Sequence, residues 1–351
     1  MLIFLSIYLM VFIFYIFSKI IKNKYFDRFN ILFISAILSI LPGFRSINVG
    51  TDTVIYNEIL QADLFLNDYY INNLEPGFLY LVRFFQLFSL ESIFFISIAF
   101  IANFLIINSI FKLENNRFLA LLSYLTFSFV YMMGFNILRQ YLALALYCYS
   151  LKYLFNDNWK KHIFLILLAC LIHYSSIFYI VFMFLYYLFK NNKNYISYTV
   201  CFLIPFIMNF NSNTFIEIFI NISDKGIVEK YIDNRGDTGS ILQILFYLII
   251  LFLIIIFSNF KNLNYRFYLG IYIIFISFSI NIALLGMAYE GFGRLIVNTY
   301  FSLIFIFSYL SLGKFKYIFN IIFLAIFSIL FYYFYYITGY FKVFPYSFVG
   351  F

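Results

Sequence analysis

The sequence predicts an all-α protein that crosses a membrane many times, and three observations support this fold class. Of its 351 residues, 65% are hydrophobic and only 11% are charged, whereas soluble domains are about half apolar and a quarter charged. Apolar runs near 20 residues long, enough to cross a bilayer as a helix, follow one another along the chain. The basic residues are also concentrated in six of the short breaks that separate these runs. A soluble globule, a disordered chain and a disulfide scaffold are therefore excluded.

Six short breaks between the apolar runs are basic. They hold fifteen of the 23 lysines and arginines but only three of the 15 acidic residues. The positive-inside rule places these breaks on the cytoplasmic side. They are residues 19–28, 112–117, 152–161, 190–193, 261–266 and 314–316. The rest of the chain is mildly acidic, so the net charge of +8 reflects topology and not a nucleic-acid surface.

The predicted spans follow in chain order. The first, at about 2–18, lacks a preceding basic region and a small-residue cleavage site, so we interpret it as a membrane helix and not a signal peptide. Further apolar runs lie at about 29–43, 92–111, 118–134, 135–155, 195–210, 241–260, 267–286, 295–313 and 317–339. Two short helices within 162–189 bring the prediction to about 12 transmembrane helices, with both termini outside.

Two segments are too short for ordinary spans. Residues 77–90 carry Arg83 near their middle, and we predict that they form a re-entrant or interfacial helix on the outer face. The 28 residues at 162–189 lie between two basic breaks and cannot make two full spans of about 20 residues each. We predict a hairpin with its apex near His173, which places His173 and Ser175 at the floor of an outward-facing pocket.

No internal repeat or linker divides the chain, so residues 1–351 are predicted to form one domain. Two long outer loops remain, at about 44–76 and 211–240. Each contains an amphipathic helical stretch, at 53–66 and 213–222 respectively. The three cysteines lie inside apolar runs without paired spacing, which is typical of buried thiols and not of disulfides or metal ligands.

Ionisable residues near apolar surface are the candidate functional residues of a membrane protein. Lysine outnumbers arginine 12 to 3 in the basic breaks, whereas arginine outnumbers lysine 5 to 3 in the rest of the chain. Codon bias should act on both faces alike, so the outer arginines indicate a need for the bidentate guanidinium that suits phosphate. Arg45, Arg139 and Arg294 are therefore the candidate ligands of a phosphate group.

The candidate acids and bases each have a structural alternative. Asp52 and Glu75 precede predicted helices, where a carboxylate accepts backbone N–H bonds, and Pro76 is typical of the first helical position. The functional alternative is a carboxylate that orients a polar group at a pocket. His173 is a candidate base, with a satisfied buried histidine as the alternative. His162 lies beside two lysines and is interpreted as a loop residue.

The candidate arginines also have structural alternatives. Arg139 opens a predicted span, and its side chain can instead extend toward the membrane interface. Gln140 beside it adds a donor and an acceptor. Arg294 opens another span, where a local ion pair with Glu290 is the alternative. These residues are therefore candidates whose positions in space decide their roles.

The sequence shows no clustered metal ligands, P-loop, glycine-rich nucleotide fingerprint or nucleophile elbow. No metal and no cofactor are therefore expected. An outward-facing site has no access to ATP, so its chemistry requires a pre-activated substrate. A polyprenyl diphosphate sugar is a substrate of this kind.

Six motifs, in this order, resemble those of the bacterial O-antigen and exopolysaccharide polymerases (Wzy-like and EpsG-like). They are FRSINVGTDTVIY (44–56), EPGF (75–78), ILRQYLALA (137–145), LACLIHYSSIF (168–178), GRLIVNTYF (293–301) and FPYSF (344–348). The resemblance implies a GT-C-like membrane glycosyltransferase with a short helix in its first outer loop. It also implies transfer of a glycan from undecaprenyl diphosphate to a lipid-linked repeat unit, at the outer face of the bacterial inner membrane. The second outer loop departs from the family because it shows no clear signature.

The resemblance and the residues together predict direct displacement at the anomeric carbon without a metal. The three arginines would offset the charge of the leaving diphosphate. A histidine has an unperturbed pKa of about 6.5, so His173 is the predicted general base, with Asp52 and Glu75 as alternatives. The predicted supporting residues are Gln140, Tyr56, Glu290 and Ser175. The expected partners are an undecaprenyl-diphosphate-linked oligosaccharide, membrane lipid and a chain-length regulator, and no nucleic acid.

Two other classes of function remain open. A lipid-linked oligosaccharide flippase would have a similar number of spans, but two related halves and short loops on both faces are expected of it. An O-antigen ligase or a membrane acyltransferase is the other alternative. A ligase is expected to expose a much larger outer loop than residues 211–240.

Overall fold

The computed structural model describes residues 2–21, 23–62, 74–90, 93–113, 116–191, 194–210, 241–257, 260–285, 295–310 and 316–348. Within these residues the regular structure is helical, apart from one isolated antiparallel bridge between Arg45 and Phe348. The helices pack as two compact units. One comprises Met1–Ser176 with Lys314–Phe351, and the other comprises Ile177–Gly313. The prediction of a single domain stays a prediction.

The helices are numbered in chain order. The first unit begins with α1 (Leu2–Ile21), α2 (Lys24–Gly43), α3 (Thr53–Gln61), α4 (Pro76–Leu87), α5 (Phe94–Leu113), α6 (Arg117–Thr126), α7 (Val130–Met133), α8 (Leu138–Phe155) and α9 (Trp159–Ile172). A 3₁₀ turn at Tyr174–Ile177 leads to α10 (Phe178–Asn191), α11 (Asn194–Phe210), α12 (Ile241–Ile256), α13 (Leu263–Leu285) and α14 (Phe301–Phe305). The first unit is completed by α15 (Lys316–Phe331), a π-helix at Tyr332–Ile337 and a 3₁₀ turn at Tyr340–Lys342.

Several helices have the length and composition of membrane spans. Five stretches of the described chain qualify, namely Leu2–Ile21, Lys24–Gly43, Phe94–Lys112, Leu263–Ala283 and Tyr317–Ile337. The first and last of these bury only 33% and 22% of their apolar windows inside the protein, as expected of helices whose side chains contact lipid. The chain is a multi-pass membrane protein. The total of about 12 crossings and the GT-C-like fold stay predictions.

The first unit contains a close contact between α2 and α5. Helix α2 begins after Asn23, whose side chain accepts the N–H of Tyr25 at 2.8 Å, and it ends at Gly43. A Cβ atom at Gly43 would lie 2.6 Å from Cβ of Ile96. Only glycine therefore allows the two backbones to approach this closely. This contact brings the start of the first outer loop against α5.

A chain of buried polar side chains links four helices of the same unit. The amide of Asn103 on α5 donates to the hydroxyl of Ser39 on α2 at 3.3 Å. The hydroxyl of Tyr124 on α6 lies 2.6 Å from Oδ1 of Asn103 and 2.8 Å from the hydroxyl of Tyr141 on α8. Buried polar groups are normally satisfied by hydrogen bonds of this kind. Tyr124 and Tyr141 therefore connect the helices of this core by hydrogen bonds as well as by packing.

The predicted span at 118–134 is not a continuous helix. Helix α6 ends at Thr126, because the N–H groups of Phe127 and Ser128 both bond to the carbonyl of Ser123 and Phe129 has a φ of 63°. Left-handed residues of this kind commonly end helices. The four-residue α7 then precedes α8. The break is buried within the protein, where irregular backbone at membrane depth is tolerated.

The predicted span at 295–313 is also shorter and less regular in its described part. It contains the five-residue α14 and a 3₁₀ turn at Ile306–Tyr309. The hydroxyls of Thr299, Ser302 and Ser308 each bond to a backbone carbonyl three residues earlier. Such local bonds compete with regular helical bonding.

The unusual segments of the sequence form short helices. The helix predicted at 77–90 is present as α4, whose 12 residues span only about 18 Å, less than a bilayer core. The amphipathic stretch at 53–66 contains α3, and the one at 213–222 lies outside the described residues. Within 162–189, α9 ends at Ile172 and His173 has extended backbone. The break is therefore where it was predicted, whereas the hairpin stays a prediction.

The interpretation of His162 as a loop residue is wrong. Helix α9 already begins at Trp159, so His162 lies in its first turns and is fully buried against α8. Its Nδ1 atom lies 3.3 Å from the carbonyl oxygen of Ser150. Two lysines precede His162 in sequence, but the helical period turns His162 toward the protein interior.

Candidate functional site

The candidate site is built around Glu75, directly before α4. Pro76 occupies the first helical position, as the sequence predicts, so the chain turns sharply into the helix here. The Glu75 side chain makes no capping bond to α4. It is instead buried, with 6% of the side chain exposed. Such burial of an ionised carboxylate requires compensating partners.

Two partners from distant segments bind the carboxylate of Glu75. Nη1 of Arg139, on α8, lies 2.5 Å from Oε2. Nδ1 of His173, just after α9, lies 2.8 Å from Oε1. One carboxylate therefore bridges the predicted diphosphate ligand Arg139 and the predicted base His173. The side chains of Arg139 and His173 remain 24% and 12% exposed, but Nε2 of His173 is itself buried.

Close packing of α4 against α9 brings Glu75 and His173 together. A Cβ atom at Gly77 would lie 2.8 Å from the carbonyl oxygen of Leu171, so glycine is required for this approach. The N–H of His173 bonds to the carbonyl of Ala169 at 2.9 Å, which ends α9. The helix end thus fixes the position at which the imidazole meets the carboxylate.

Aromatic side chains support the other partner, Arg139. Its guanidinium lies 5.8 Å from the ring centroid of Phe78, within the range of a cation–π contact. The ring of Tyr56, on α3, packs edge-on against Phe78 with a centroid distance of 5.9 Å. The hydroxyl of Tyr56 also interacts with the Arg139 guanidinium. The predicted supporting residue Tyr56 therefore belongs to the same cluster.

The ionisation of Glu75 follows from these contacts. Burial raises the pKa of Glu75, but the hydrogen bond from His173 and the charge of Arg139 outweigh it and lower the pKa to about 2. Glu75 is therefore ionised at neutral pH and is a poor proton acceptor. When Nδ1 of His173 donates to it, a neutral imidazole keeps its lone pair on Nε2. Glu75 thus holds the imidazole of His173 in one orientation, and the choice among the predicted bases stays a prediction.

Arg45 is buried beside the start of α3, with 2% of the residue exposed. Nε donates to the hydroxyl of Thr53 at 2.9 Å, and Nη1 donates to the carbonyls of Pro42 and Gly134. The guanidinium also packs on the ring of Phe95 at 4.4 Å. Nη2 has no hydrogen-bond partner among the described residues. Burial lowers the pKa of Arg45 to about 10, so the side chain is still a cation at neutral pH.

Asp52 occupies the N-cap position of α3 but makes no side-chain capping bond. It is half-buried, and its Oδ1 accepts a hydrogen bond from the hydroxyl of Thr51 at 2.8 Å. The charge of Asp52 acts on both Arg45 and Tyr56. Burial raises the pKa of Tyr56 and Arg139 only partly opposes it, so the phenol stays protonated. Tyr56 thus connects Arg45 and Asp52 electrostatically with Arg139.

Of the four remaining predicted site residues, two lie in the described part of the chain and two lie outside it. Gln140 is buried next to Arg139 on α8, and Ser175 is half-buried in the 3₁₀ turn that follows His173. Arg294 and Glu290 lie outside the described residues. Their predicted roles stay predictions.

Two residues of this region are not among the predicted site residues. Phe78 contacts both Tyr56 and Arg139, and it belongs to the EPGF motif. Asn136 is 1% exposed and contacts Thr51, two residues before α8 begins. A signal for Asn136 existed, because a buried amide next to a glycine turn is unusual inside an apolar run.

The described part of the chain holds no group of three or more His, Cys, Asp or Glu residues that could bind a metal ion. The chemistry available there consists of a histidine held by a carboxylate, arginines and a phenol. The prediction that neither a metal nor a cofactor takes part stays a prediction.

Comparison with known protein families gives one finding for this chain. The model of the EpsG family matches residues 28–348, which include all six motifs recognised in the sequence. Neither the curated proteins nor the solved structures yield a match. The family match therefore supports the resemblance seen in the motifs.

Proposed function

This chain belongs to the EpsG family, and from that membership we propose that it is a polysaccharide polymerase. The reaction we propose is transfer of a growing glycan from undecaprenyl diphosphate to a lipid-linked oligosaccharide repeat unit. It takes place at the outer face of the bacterial inner membrane. The family itself indicates a polymerase-like role in polysaccharide synthesis, and the donor, the acceptor and the side of the membrane are parts of the proposal.

The observation that supports this reaction most strongly is the bridge that Glu75 makes between His173 and Arg139. Glycosyl transfer from a diphosphate needs a base for the acceptor hydroxyl and a cation for the leaving group. The bridge places one residue of each type on the same carboxylate, and the phenol of Tyr56 accepts a hydrogen bond from Arg139. All four residues lie in motifs that the family resemblance singled out.

In the proposed mechanism, Nε2 of His173 removes the proton from the acceptor hydroxyl. The acceptor oxygen forms a bond to the anomeric carbon of the growing glycan. The bond between that carbon and the diphosphate oxygen breaks, and the electron pair leaves with undecaprenyl diphosphate. Glu75 stabilises the imidazolium that forms. The displacement inverts the configuration at the anomeric carbon, because the nucleophile enters opposite the leaving group.

Arginine side chains offset the charge that develops on the diphosphate. Arg139 has accessible side-chain surface beside His173, so it is the first ligand in this proposal. Arg45 adds a second positive charge, with one guanidinium nitrogen unbonded among the described residues. Arg294 is the third proposed ligand. Glu290, Asp52, Gln140 and Ser175 keep supporting roles, with Asp52 also an alternative base. Membrane lipid surrounds the prenyl chains, and a chain-length regulator is the proposed protein partner.

Deletion of the gene tests the proposed function against its alternatives. Loss of a polymerase should leave single repeat units on the surface anchor, and plasmid-borne wild-type protein should restore long chains. The readout is the glycan ladder on an electrophoresis gel. A deletion strain with no repeat units on its surface would instead indicate a flippase or a ligase and would contradict the proposal.

A further inference from the structure

We propose that Asn136 is a positioning residue, which joins the first outer loop to the C-terminal segment (residues 339–348). This connection between the two segments, called the joint below, holds Arg139 and Tyr56 in place around Glu75. The inference rests on the proposed function, because its activity readout is glycan transfer. The joint itself is independent of the reaction and can be tested separately.

The Asn136 side chain bonds to two segments that are far apart in sequence. Its Oδ1 accepts the backbone N–H of Thr51 and, at 3.0 Å, the Thr51 hydroxyl. Its Nδ2 donates to the carbonyl of Phe341 at 3.0 Å. Asn136 is 1% exposed, whereas Phe341 is half-buried and Thr51 is exposed. Removal of the amide would therefore leave the half-buried Phe341 carbonyl without this bond.

Glycine at position 50 makes this arrangement possible. Gly50 has a φ of 90°, which side-chain-bearing residues rarely adopt. A Cβ atom there would lie 2.2 Å from the carbonyl oxygen of Phe135 and 2.8 Å from Oδ1 of Asn136. The backbone of the first outer loop therefore passes directly against the turn that contains Asn136.

The C-terminal segment is bonded to the same loop at further points. The N–H of Gly50 donates to the carbonyl of Lys342 at 3.0 Å, and the N–H of Ser46 donates to the carbonyl of Ser347 at 2.9 Å. The hydroxyls of Ser46 and Ser347 are 2.5 Å apart. The segment is thus attached along its length, and Asn136 connects it to the helical part of the unit.

The backbone of the C-terminal segment needs such support. Phe341 and Lys342 both have positive φ values, of 66° and 48°. Side-chain-bearing residues in this region are unfavourable and persist where surrounding contacts hold them. The carbonyls of these two residues are the acceptors for Asn136 and Gly50. The joint therefore holds a backbone conformation that the local sequence does not favour.

Both ends of the joint lead directly into the site. The backbone carbonyl of Asn136 accepts the N–H of Leu138 at 3.0 Å as α8 begins, so the side-chain bonds hold the backbone from which α8 starts, and Arg139 is the next residue. On the other side, Thr51 precedes α3, which carries Tyr56. A shift of either helix start would move the phenol or the guanidinium relative to Glu75. Displacements of about 1 Å can reduce turnover a hundredfold.

Replacement of Asn136 by alanine should reduce kcat at least about tenfold, because Arg139 and Tyr56 are no longer held in position. The full-length chain is assayed in membranes for glycan transfer and thermal unfolding. Asn103→Ala is the control, since Asn103 is another buried, hydrogen-bonded asparagine of the same unit. At a comparable loss of thermal stability, kcat should fall far less in the control. Wild-type kcat in Asn136→Ala, or equal losses of kcat in both variants, would overturn the proposal.

A disulfide between Ser46→Cys and Ser347→Cys tests the joint without reference to any activity. The hydroxyl distance places these side chains within reach of a disulfide, and mass spectrometry of the linked peptides measures its yield. We expect efficient linkage with full turnover in the otherwise unchanged chain, lower yield with Asn136→Ala, and recovery of turnover when that variant is linked. If the two cysteines failed to form a disulfide, or if the disulfide abolished turnover in the otherwise unchanged chain, the proposal of a fixed joint would be overturned. Linkage in a chain that never transfers glycan would overturn only the proposed function.

Discussion

Replacement of His173 by alanine is expected to reduce glycan transfer at least about a hundredfold, the usual contribution of a general base. In the proposed mechanism the imidazole of His173 accepts the proton of the acceptor hydroxyl. Its Nδ1 is engaged by Glu75 at 2.8 Å, so the proton is taken by Nε2. Loss of polymer is measured as the glycan ladder and as the initial transfer rate at matched protein abundance.

The other histidine of the chain provides the control for His173. His162 is fully buried between α8 and α9, with Nδ1 near the Ser150 carbonyl, and is outside the cluster around Glu75. His162→Ala should lower stability but keep the transfer rate per folded molecule within a few-fold of wild type. Full-length ladders from His173→Ala at normal abundance would remove His173 from the mechanism.

Replacement of Arg139 is expected to cost both transfer and stability. Removing one partner of a fully buried ion pair costs about 3–5 kcal/mol. Because Arg139 is 24% exposed, Arg139→Ala should cost about the lower end of that range. The pKa of Glu75 should rise when the neighbouring charge is lost. Arg139→Lys restores a charge but not the planar fork, so it should recover stability more than transfer. Thermal unfolding and transfer rates separate the two effects.

Arg117 supplies the matched control for an arginine in an ion pair. It lies 3.8 Å from Asp27, with 34% and 35% of the two side chains exposed. Exposed pairs of this kind contribute about 0–1 kcal/mol. Arg117→Ala should therefore change neither transfer nor stability strongly. If Arg139→Ala behaved like Arg117→Ala, the proposed diphosphate role of Arg139 would be contradicted.

The helical membrane class follows from the sequence more directly than the continuity of each helix does. Apolar composition and the distribution of lysine are direct consequences of the bilayer, so they can be interpreted without tertiary structure. The start of α4 at Pro76 and the break at His173 were also predictable from local chemistry. Hydropathy does not detect the left-handed conformation of Phe129, so the interruption within 118–134 was missed.

The sequence alone does not show which of the site residues contact one another. Glu75 and His173 are 98 positions apart, and their contact depends on the approach of Gly77 to Leu171. From the sequence alone, Glu75 and His173 are therefore alternative bases. Their hydrogen bond shows that the two side chains contact each other, and the division into one base and one orienting carboxylate is part of the proposal. The burial of Asn136 likewise depends on the C-terminal segment, which is 205 positions away at Phe341.

The proposed polymerase joins lipid-linked repeat units by displacing undecaprenyl diphosphate. The most direct measurement uses the purified full-length chain in liposomes that contain a single lipid-linked repeat unit. We predict glycans of increasing length, with one undecaprenyl diphosphate released for each bond formed. Liposomes that contain the His173→Ala variant serve as the negative control. Movement of the repeat unit across the bilayer with no elongation and no released diphosphate would contradict the account.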